Sequence, residues 1–418
     1  MPSLVGSEMC IRDRASTQID VKTAKAALFP SLSFSTSQQV VNRPYQETSS
    51  RVSGSEIISS NSKTSYNGNY GLNASWTLYN GNKRLKTIQQ EKLNNQMAEL
   101  DVATSENNIQ ESIAQVYIQI LYAAESVKVN ENTLQVSIAQ RDRGQELLNA
   151  GSIAKSDLAQ LEAQVSTDRY QLVTAQATLE DYKLQLKQLL ELDGENEMNI
   201  YLPTLSDENV LAPLPTKRDV YISALSLRPE IEASKLNVEA SELGINIAKS
   251  SYFPTISLSA GIGTNHTSGS DFTFGEQVKN GWNNSIGLSG SVPIFNNRQT
   301  KSAVQKAKLQ YETSMLSLLD EQKALYKTIE SLWLDANSAQ QRYAAANEKL
   351  KSTQISYELI SEQFNLGMKN TVELLTEKNN LLQAQQEQLQ AKYMAILNTQ
   401  LLKFYQGDQL AILSLIHI

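Results

Sequence analysis

"KAALFPSLSFS", Lys25–Ser35, and "KSSYFPTISLS", Lys249–Ser259, make the same abrupt change twice. Each opens on helix-forming residues, breaks at an aromatic–proline pair (Phe29-Pro30, Phe253-Pro254) and continues in strict alternation. Proline lacks a backbone donor and pushes the residue before it out of helical geometry, so both stretches read as a helix handing over to a strand. Leu32 and Phe34 alternate with Ser31, Ser33 and Ser35; Ile256, Leu258, Ala260 and Ile262 alternate with Ser257, Ser259 and Gly261. The period of two returns at Tyr70, Leu72, Ala74, Trp76 and Leu78, and at Ile286, Leu288, Val292 and Ile294. Successive strand side chains point to opposite faces. Each strand is therefore apolar on one face and lined by Ser, Gly, Asn and Thr on the other.

The repetition extends along the chain. "GLNASWTLYN" at Gly71–Asn80 matches "GLSGSVPIFN" at Gly287–Asn296, and "NAGSIAKSDLAQ" at Asn149–Gln160 matches "NLGMKNTVELLT" at Asn365–Thr376, both offset by 216 residues. The Phe-Pro pairs are offset by 224. Two copies spanning the chain are a duplication of one plan.

Between the strand blocks the composition suits long helices. No proline occurs between Tyr45 and Leu202 or after Pro293, and Ile109, Ile113, Val116 and Ile120 recur at helical spacing. Asn82–Ala150 is about 69 residues, or roughly 100 Å of helix at about 1.5 Å per residue. Such a length reads as coiled coil. Gly151 and Gly367 are placed to end the outgoing helices in left-handed geometry, and Ser156 and Thr371 are the expected caps of the returning ones. Each half becomes a long helical hairpin. The segment Gly194–Leu227, rich in proline and acids, reads as an excursion midway along, with helix resuming around Arg228. Ser270–Asn284 reads as an extracellular loop.

Composition excludes most chemistry. A net charge of −7 and the absence of a basic stripe argue against nucleic acid. Cys10 is the only cysteine, and His266 and His417 are the only histidines. No catalytic site, metal site or cofactor is expected. No apolar run is long enough for a transmembrane helix, which leaves a membrane barrel of strands open. A sheet covered by helices is the plainer alternative, but the helices are committed to the hairpins. Small polar residues suit a watery lumen, and Phe29, Trp76, Tyr79, Phe253, Trp282 and Phe295 sit near strand ends as an interfacial girdle does. Four strands cannot close a barrel in lipid, so several copies must share one.

The duplicated plan, "SWTLYNGNKR" and "SVPIFNNRQT", "LRPEIEASKLNVEAS", the two glycine-centred tips and the closing "LLKFYQGDQL" together resemble the TolC family of outer-membrane efflux channels, from Ala15 to about Leu413. The resemblance implies a fold that is mainly α with β: antiparallel helical hairpins forming an α-barrel tunnel, and four strands per chain in a trimeric twelve-stranded transmembrane β-barrel. It implies an exit duct in the outer membrane of a Gram-negative bacterium, with a long periplasmic part, passing drugs, metals or proteins. The implied partners are a homotrimer, outer-membrane lipid, a periplasmic adaptor (membrane fusion) protein and an inner-membrane efflux pump or ABC transporter.

The corresponding segments are 29–80 and 253–296 (barrel hairpins), 81–193 and 297–405 (helical hairpins), 194–227 (equatorial excursion) and 228–252 (returning helix). Residues 15–28 read as the end of a helix whose start is missing. Residues 1–14 and the end of 406–418 match nothing in the repeat and read as non-native. The family's gate maps onto Asp157, Glu373 and Lys369, with Thr376 where the family has a second acid, and a Lys369–Asp157 bridge between hairpins would hold it shut. The same carboxylates serve equally as first-turn residues favoured by the helix dipole, Asn370 and Glu373 resembling a capping box. Adaptor contact is expected at Gly151, Ser152, Ile153, Gly367 and Met368, and the helix-to-barrel junctions at Phe29, Pro30, Phe253 and Pro254. A trimeric stalk or adhesin-like structural protein is the competing reading, and a soluble rod-like scaffold a third.

Overall fold

The computed structural model describes residues 4–45, 49–53, 56–60, 63–192, 200–201, 210–268, 270 and 272–410. In chain order the elements are α1 (Leu4–Ala26), β1 (Ser31–Asn42), β2 (Ser49–Ser53), β3 (Glu56–Ser60), β4 (Thr64–Asn80), α2 (Lys83–Asn149), α3 (Lys155–Leu189), α4 (Lys217–Leu227), α5 (Pro229–Ser250), β5 (Thr255–Thr267), α6 (Phe274–Asn280), β6 (Asn283–Ser291), α7 (Gln299–Asn365) and α8 (Thr371–Gln406). Residues 15–96 and 236–316 make one compact unit; 1–14, 97–235 and 317–418 make the other.

The first unit holds an antiparallel sheet of order β1-β4-β5-β6. Leu32 pairs with Ala74, Leu72 with Ile262 and Leu258 with Leu288. Directly opposed residues share a face, so one register sorts all four strands. Even-numbered positions bring together Leu32, Phe34, Leu72, Trp76, Ile262, Ile286 and Leu288. Odd-numbered positions are Ser, Asn, Gly and Thr, apart from Gln39, Val41 and Tyr79. Tyr79 follows a register shift after Thr77 and pairs with Ile256, which carries it to the apolar face. The polar face is laced by its own side chains: Asn73 donates to Ser35 and Asn69 to Ser37, both at 3.4 Å, and Thr267 donates to Asn67 at 2.6 Å. The apolar face lies open, with Leu32 70% and Ile286 79% exposed. An exposed apolar area of this kind marks a surface meant for something other than water.

Both junctions carry the duplication in their backbones. Past α1, Leu28 N–H donates to Lys25 O and Phe29 N–H to Ala26 O; past α5, Tyr252 donates to Lys249 and Phe253 to Ser250, all between 3.0 and 3.1 Å. Pro30 and Pro254 each stand one residue before a strand. The return from strand to helix uses two consecutive left-handed residues in each half: Gly81-Asn82 (φ 65° and 63°) and Asn297-Arg298 (φ 51° and 67°). Gly81 is also required sterically, since a Cβ there would fall 2.7 Å from Ser250 O.

The second unit is helical. Its largest core cluster combines Ala114, Tyr117 and Leu121 of α2, Ala339 and Tyr343 of α7, and Ala391, Ala395 and Leu401 of α8. Alanines let the helices approach closely while the tyrosines fill the gaps. Arg228, 7% exposed by its side chain, ties this unit internally. It pairs with Glu111 of α2 at 3.2 Å and Glu230 of α5 at 2.7 Å, and lies over the Tyr405 ring of α8 at 4.2 Å. Burial, then the Glu111 charge, pushes the Tyr405 hydroxyl up to about 12.

Several expectations are corrected. The segment 194–227 is not wholly an irregular excursion: α4 occupies its end, because Thr216 accepts from Asp219 N–H at 3.2 Å and caps a helix that Arg228, extended before Pro229, then stops. The rest of that segment lies largely outside the described residues. β6 ends at Ser291, short of the alternating Val292 and Ile294, since Pro293 cannot donate to the ladder. Two strands beyond the expected four, β2 and β3, form a separate hairpin within 29–80. The loop expected at 270–284 contains α6.

Candidate functional site

The two hairpin tips have the same construction. Gly151 (φ 71°) and Gly367 (φ 72°) each take the left-handed position after a 67-residue helix. Gly151 N–H donates to Leu148 O at 2.9 Å and Ser152 N–H to Leu147 O at 2.8 Å; Gly367 donates to Phe364 and Met368 to Gln363, both at 2.9 Å. This pair of bonds is the Schellman closure of a helix end. Nothing lies within 4 Å of a Cβ built at either glycine, so the backbone angle alone demands glycine. Gly151, Ser152, Gly367 and Met368 are exposed, Met368 by 71%, while Ile153 is half-buried.

The capping box expected from Asn370 and Glu373 is present, but the caps expected at Ser156 and Thr371 are displaced. Ser156 is the second residue of α3 and Thr371 the first of α8; the capping positions are Ala154 and Asn370. Thr371 is instead buried, with its hydroxyl unpartnered. Asp157 accepts from Ala154 N–H at 3.0 Å, and its own N–H donates to the Ala154 carbonyl at 3.0 Å, so the backbone of Ala154 closes the turn without a cap side chain. In α8 the box is reciprocal: Asn370 Oδ1 accepts from Glu373 N–H at 2.9 Å, and Glu373 Oε2 accepts from Asn370 N–H at 3.3 Å. The other Glu373 oxygen takes Lys369 Nζ at 2.6 Å. Within one chain, therefore, Lys369 is paired with Glu373 and not with Asp157. The Lys369 hydrogen bond, then the Asn370 backbone, holds the Glu373 carboxyl below the ordinary glutamate range.

Behind the tips, Leu161 of α3, Phe364 of α7 and Leu374 of α8 form a buried cluster joining the two hairpins. Further back lies a group the sequence reading missed. Lys378 of α8 donates to Asp168 Oδ2 of α3 and to Ser137 of α2, Ser137 donates to the same carboxylate oxygen, and Gln164 donates to Asp168 Oδ1 at 2.9 Å. The Lys378 and Asp168 side chains are 3% and 0% exposed. Burial pulls the Lys378 pKa down against the opposing pull of Asp168. The signal was available: Leu161, Val165 and Asp168 lie on one stripe of α3, and Leu374, Lys378 and Leu381 on one stripe of α8. Each stripe carries one charge, of opposite sign.

The described residues hold no group of metal-ligating side chains, and no helix among them is long and apolar enough to cross a membrane.

Comparison with known proteins agrees with this architecture. The family model for "Outer membrane efflux protein" matches residues 11–191 and 220–407. Outer membrane efflux protein BepC of Brucella suis biovar 1 is 24% identical over 290 residues, 69% of this chain and 60% of its own. Outer membrane protein TolC of Escherichia coli K12 is 24% identical over 296 residues, 68% of this chain and 58% of its own. The chain thus spans about six-tenths of these relatives' lengths. Among solved structures, CusC superposes with a TM-score of 0.80 at 19% identity, covering 96% of this chain and 89% of that one. VceC of Vibrio cholerae gives 0.78 at 16%, covering 98% and 94%. With most of its length matched by that family model, and with the helical hairpins and two-faced sheet in place, the chain belongs to the outer membrane efflux proteins, the TolC family.

Proposed function

We propose that this protein is the outer-membrane exit duct of a tripartite efflux or type I secretion system, a passive channel whose energy comes from an inner-membrane pump or ABC transporter engaged through a periplasmic adaptor. The observation that carries this reading is the sheet: one face mostly small and polar, the other apolar and open, with β1 and β6 each paired on one side only among the described residues. Unpaired edges are untenable in lipid. Three copies joining β1 to the β6 of a neighbour would close twelve strands with the polar face inward. Drugs, metal ions and proteins are the cargo classes suggested by relatives named "Toxin and drug export protein A", "Cation efflux system protein CusC" and "Alkaline protease secretion protein AprF". A trimeric stalk would need strands at one place only, whereas the duplication supplies two blocks separated by a helical hairpin.

The tips are the proposed inner end of the duct. Asp157 and Glu373, three copies each, would draw cations to a narrow axis, with Lys369 partly neutralising Glu373. Capping and gating are compatible uses of the same carboxylates. The Gly151–Ser152–Ile153 and Gly367–Met368 turns, exposed except for the half-buried Ile153, would offer the adaptor its contact.

The test is conductance of the reconstituted full-length protein in planar bilayers. Stepwise cation-selective channels from a trimeric species are expected; a soluble monomer without conductance would overturn the proposal. Asp157→Ala/Glu373→Ala should lower cation selectivity, and unchanged selectivity would remove the gate role while leaving the duct.

A further inference from the structure

The β5–β6 connection folds back onto the apolar face of the sheet. Thr264 Oγ1 donates to Val278 O of α6 at 2.7 Å, and Gln277 of α6 accepts from Thr267 N–H at 2.9 Å. Phe274 meets the His266 ring edge-on at 5.1 Å, and His266 in turn lies against Tyr70 at 6.0 Å and Tyr66 at 5.7 Å. Gly68, paired with His266, makes room: a Cβ there would fall 2.1 Å from the ring. Tyr66, Tyr70, Thr264 and His266 are even-numbered strand positions, continuous with Leu72 and Ile262. α6 is started by a reciprocal capping box between Thr273 and Glu276. It leaves Phe272, Phe274 and Trp282 exposed by 47%, 57% and 57%, with Trp282 immediately before β6.

The spacing fits a membrane. Ten strand residues separate Ile256 from His266; at about 3.3 Å each and a tilt of about 40° they rise roughly 25 Å, the height of the apolar band of an outer-membrane barrel. Phe253 then sits at one boundary and the His266–Phe274 cluster at the other. Aromatic rings with a polar edge favour the headgroup level on both sides.

We propose that α6 with Phe272, Phe274 and Trp282 is a lipid-docking collar: it beds into the headgroup–acyl boundary of the outer leaflet instead of standing in water as a free extracellular loop. This rests on the barrel reading above. The occupant is lipid, since the collar continues the face that the strands turn to lipid.

Three tryptophans are present, Trp76, Trp282 and Trp333. The full-length protein is reconstituted in vesicles of phosphatidylcholine brominated at shallow or deep acyl positions, and its fluorescence is compared with that of Trp282→Phe and Trp76→Phe. Trp282 is exposed, so its replacement by another aromatic leaves the fold intact. The emission lost in Trp282→Phe is expected to be the part quenched by shallow bromines and protected from aqueous iodide. If that part is untouched by bromines and quenched by iodide while Trp76 emission is quenched by bromines, the collar is overturned and the barrel stands. If neither tryptophan responds to bromine, both fall.

Discussion

Lys378→Met tests whether the group behind the tips locks three helices together. The change keeps the aliphatic stem and removes the ammonium from a site where Lys378 and Asp168 are 3% and 0% exposed. Breaking one side of such a pair costs about 3–5 kcal/mol, because the surviving charge is left buried. Here Ser137 and Gln164 still donate to Asp168, which places the cost near the lower end, about 3 kcal/mol. Replacing both partners with Lys378→Met/Asp168→Leu should return to within about 1 kcal/mol of the native protein, since well-packed apolar groups replace a buried pair at little loss. A protein of two units need not unfold in one step, so the readout is hydrogen exchange at backbone amides around Ser137, Asp168 and Lys378. Lys378→Met should accelerate it roughly a hundredfold, with the double substitution recovering most of the protection. Exchange in Lys378→Met within about threefold of native, or a double variant worse than the sum of the singles, would refute the reasoning.

The remaining predictions are local. Gly151→Ala and Gly367→Ala should each destabilise their tip by about 1 kcal/mol, read as faster exchange at Ser152 or Met368, because only the positive φ opposes the added methyl. Arg298→Gly should stabilise the second strand-to-helix return by about 1 kcal/mol in thermal unfolding, since arginine holds a φ of 67° there. The Glu373 carboxyl binds its proton more weakly in the folded protein than in the unfolded chain. Its contribution to the α8 cap is therefore present above the ordinary glutamate range and lost as pH falls through the lowered folded value. Protection factors at 370–373 should hold from neutral pH down to that range and then drop, a fall absent in Glu373→Gln. Ile286→Arg, opposite Ala260 near mid-span, should lower barrel stability in lipid by about 2–4 kcal/mol while the adjacent Ser285→Arg changes it little, measured by urea unfolding in vesicles.

Much of this was readable in the residues, for identifiable reasons. A period of two survives only where one face is buried or in lipid, so Leu72–Trp76 and Ile256–Ile262 disclosed both strand and face. Helix ends at Gly151 and Gly367 were legible because a left-handed residue leaves few options besides glycine. The caps were mixed: the Asn370–Glu373 box showed in its spacing, whereas Ser156 is an adequate cap residue and Ala154 takes the position only because the chain turns there, its N–H accepted by Asp157. α4 was hidden because prolines around it suggested a loop, though Thr216 and Asp219 mark its start. Asp168 and Lys378 escaped because a charge in a long Gln- and Glu-rich helix reads as solvated unless its stripe is followed across to a partner 210 residues away. The outward fold of α6 depends on Gly68 and His266 meeting across strands, which no local pattern announces.

The central claim is that the sheet separates lipid from water. With Cys10 replaced by serine, single cysteines at each position of Asn283–Ser291 can carry a spin label in the reconstituted protein, and collision with dissolved oxygen or with a water-soluble nickel chelate can be measured at each. The account predicts alternation along β6: oxygen dominates at the even positions, Ile286 and Leu288 above all, and nickel at the odd ones, Ser285, Gly287 and Ser289. Equal accessibility on both faces, with nickel reaching Ile286 and Leu288 as readily as it reaches Ser285, Gly287 and Ser289, would contradict it.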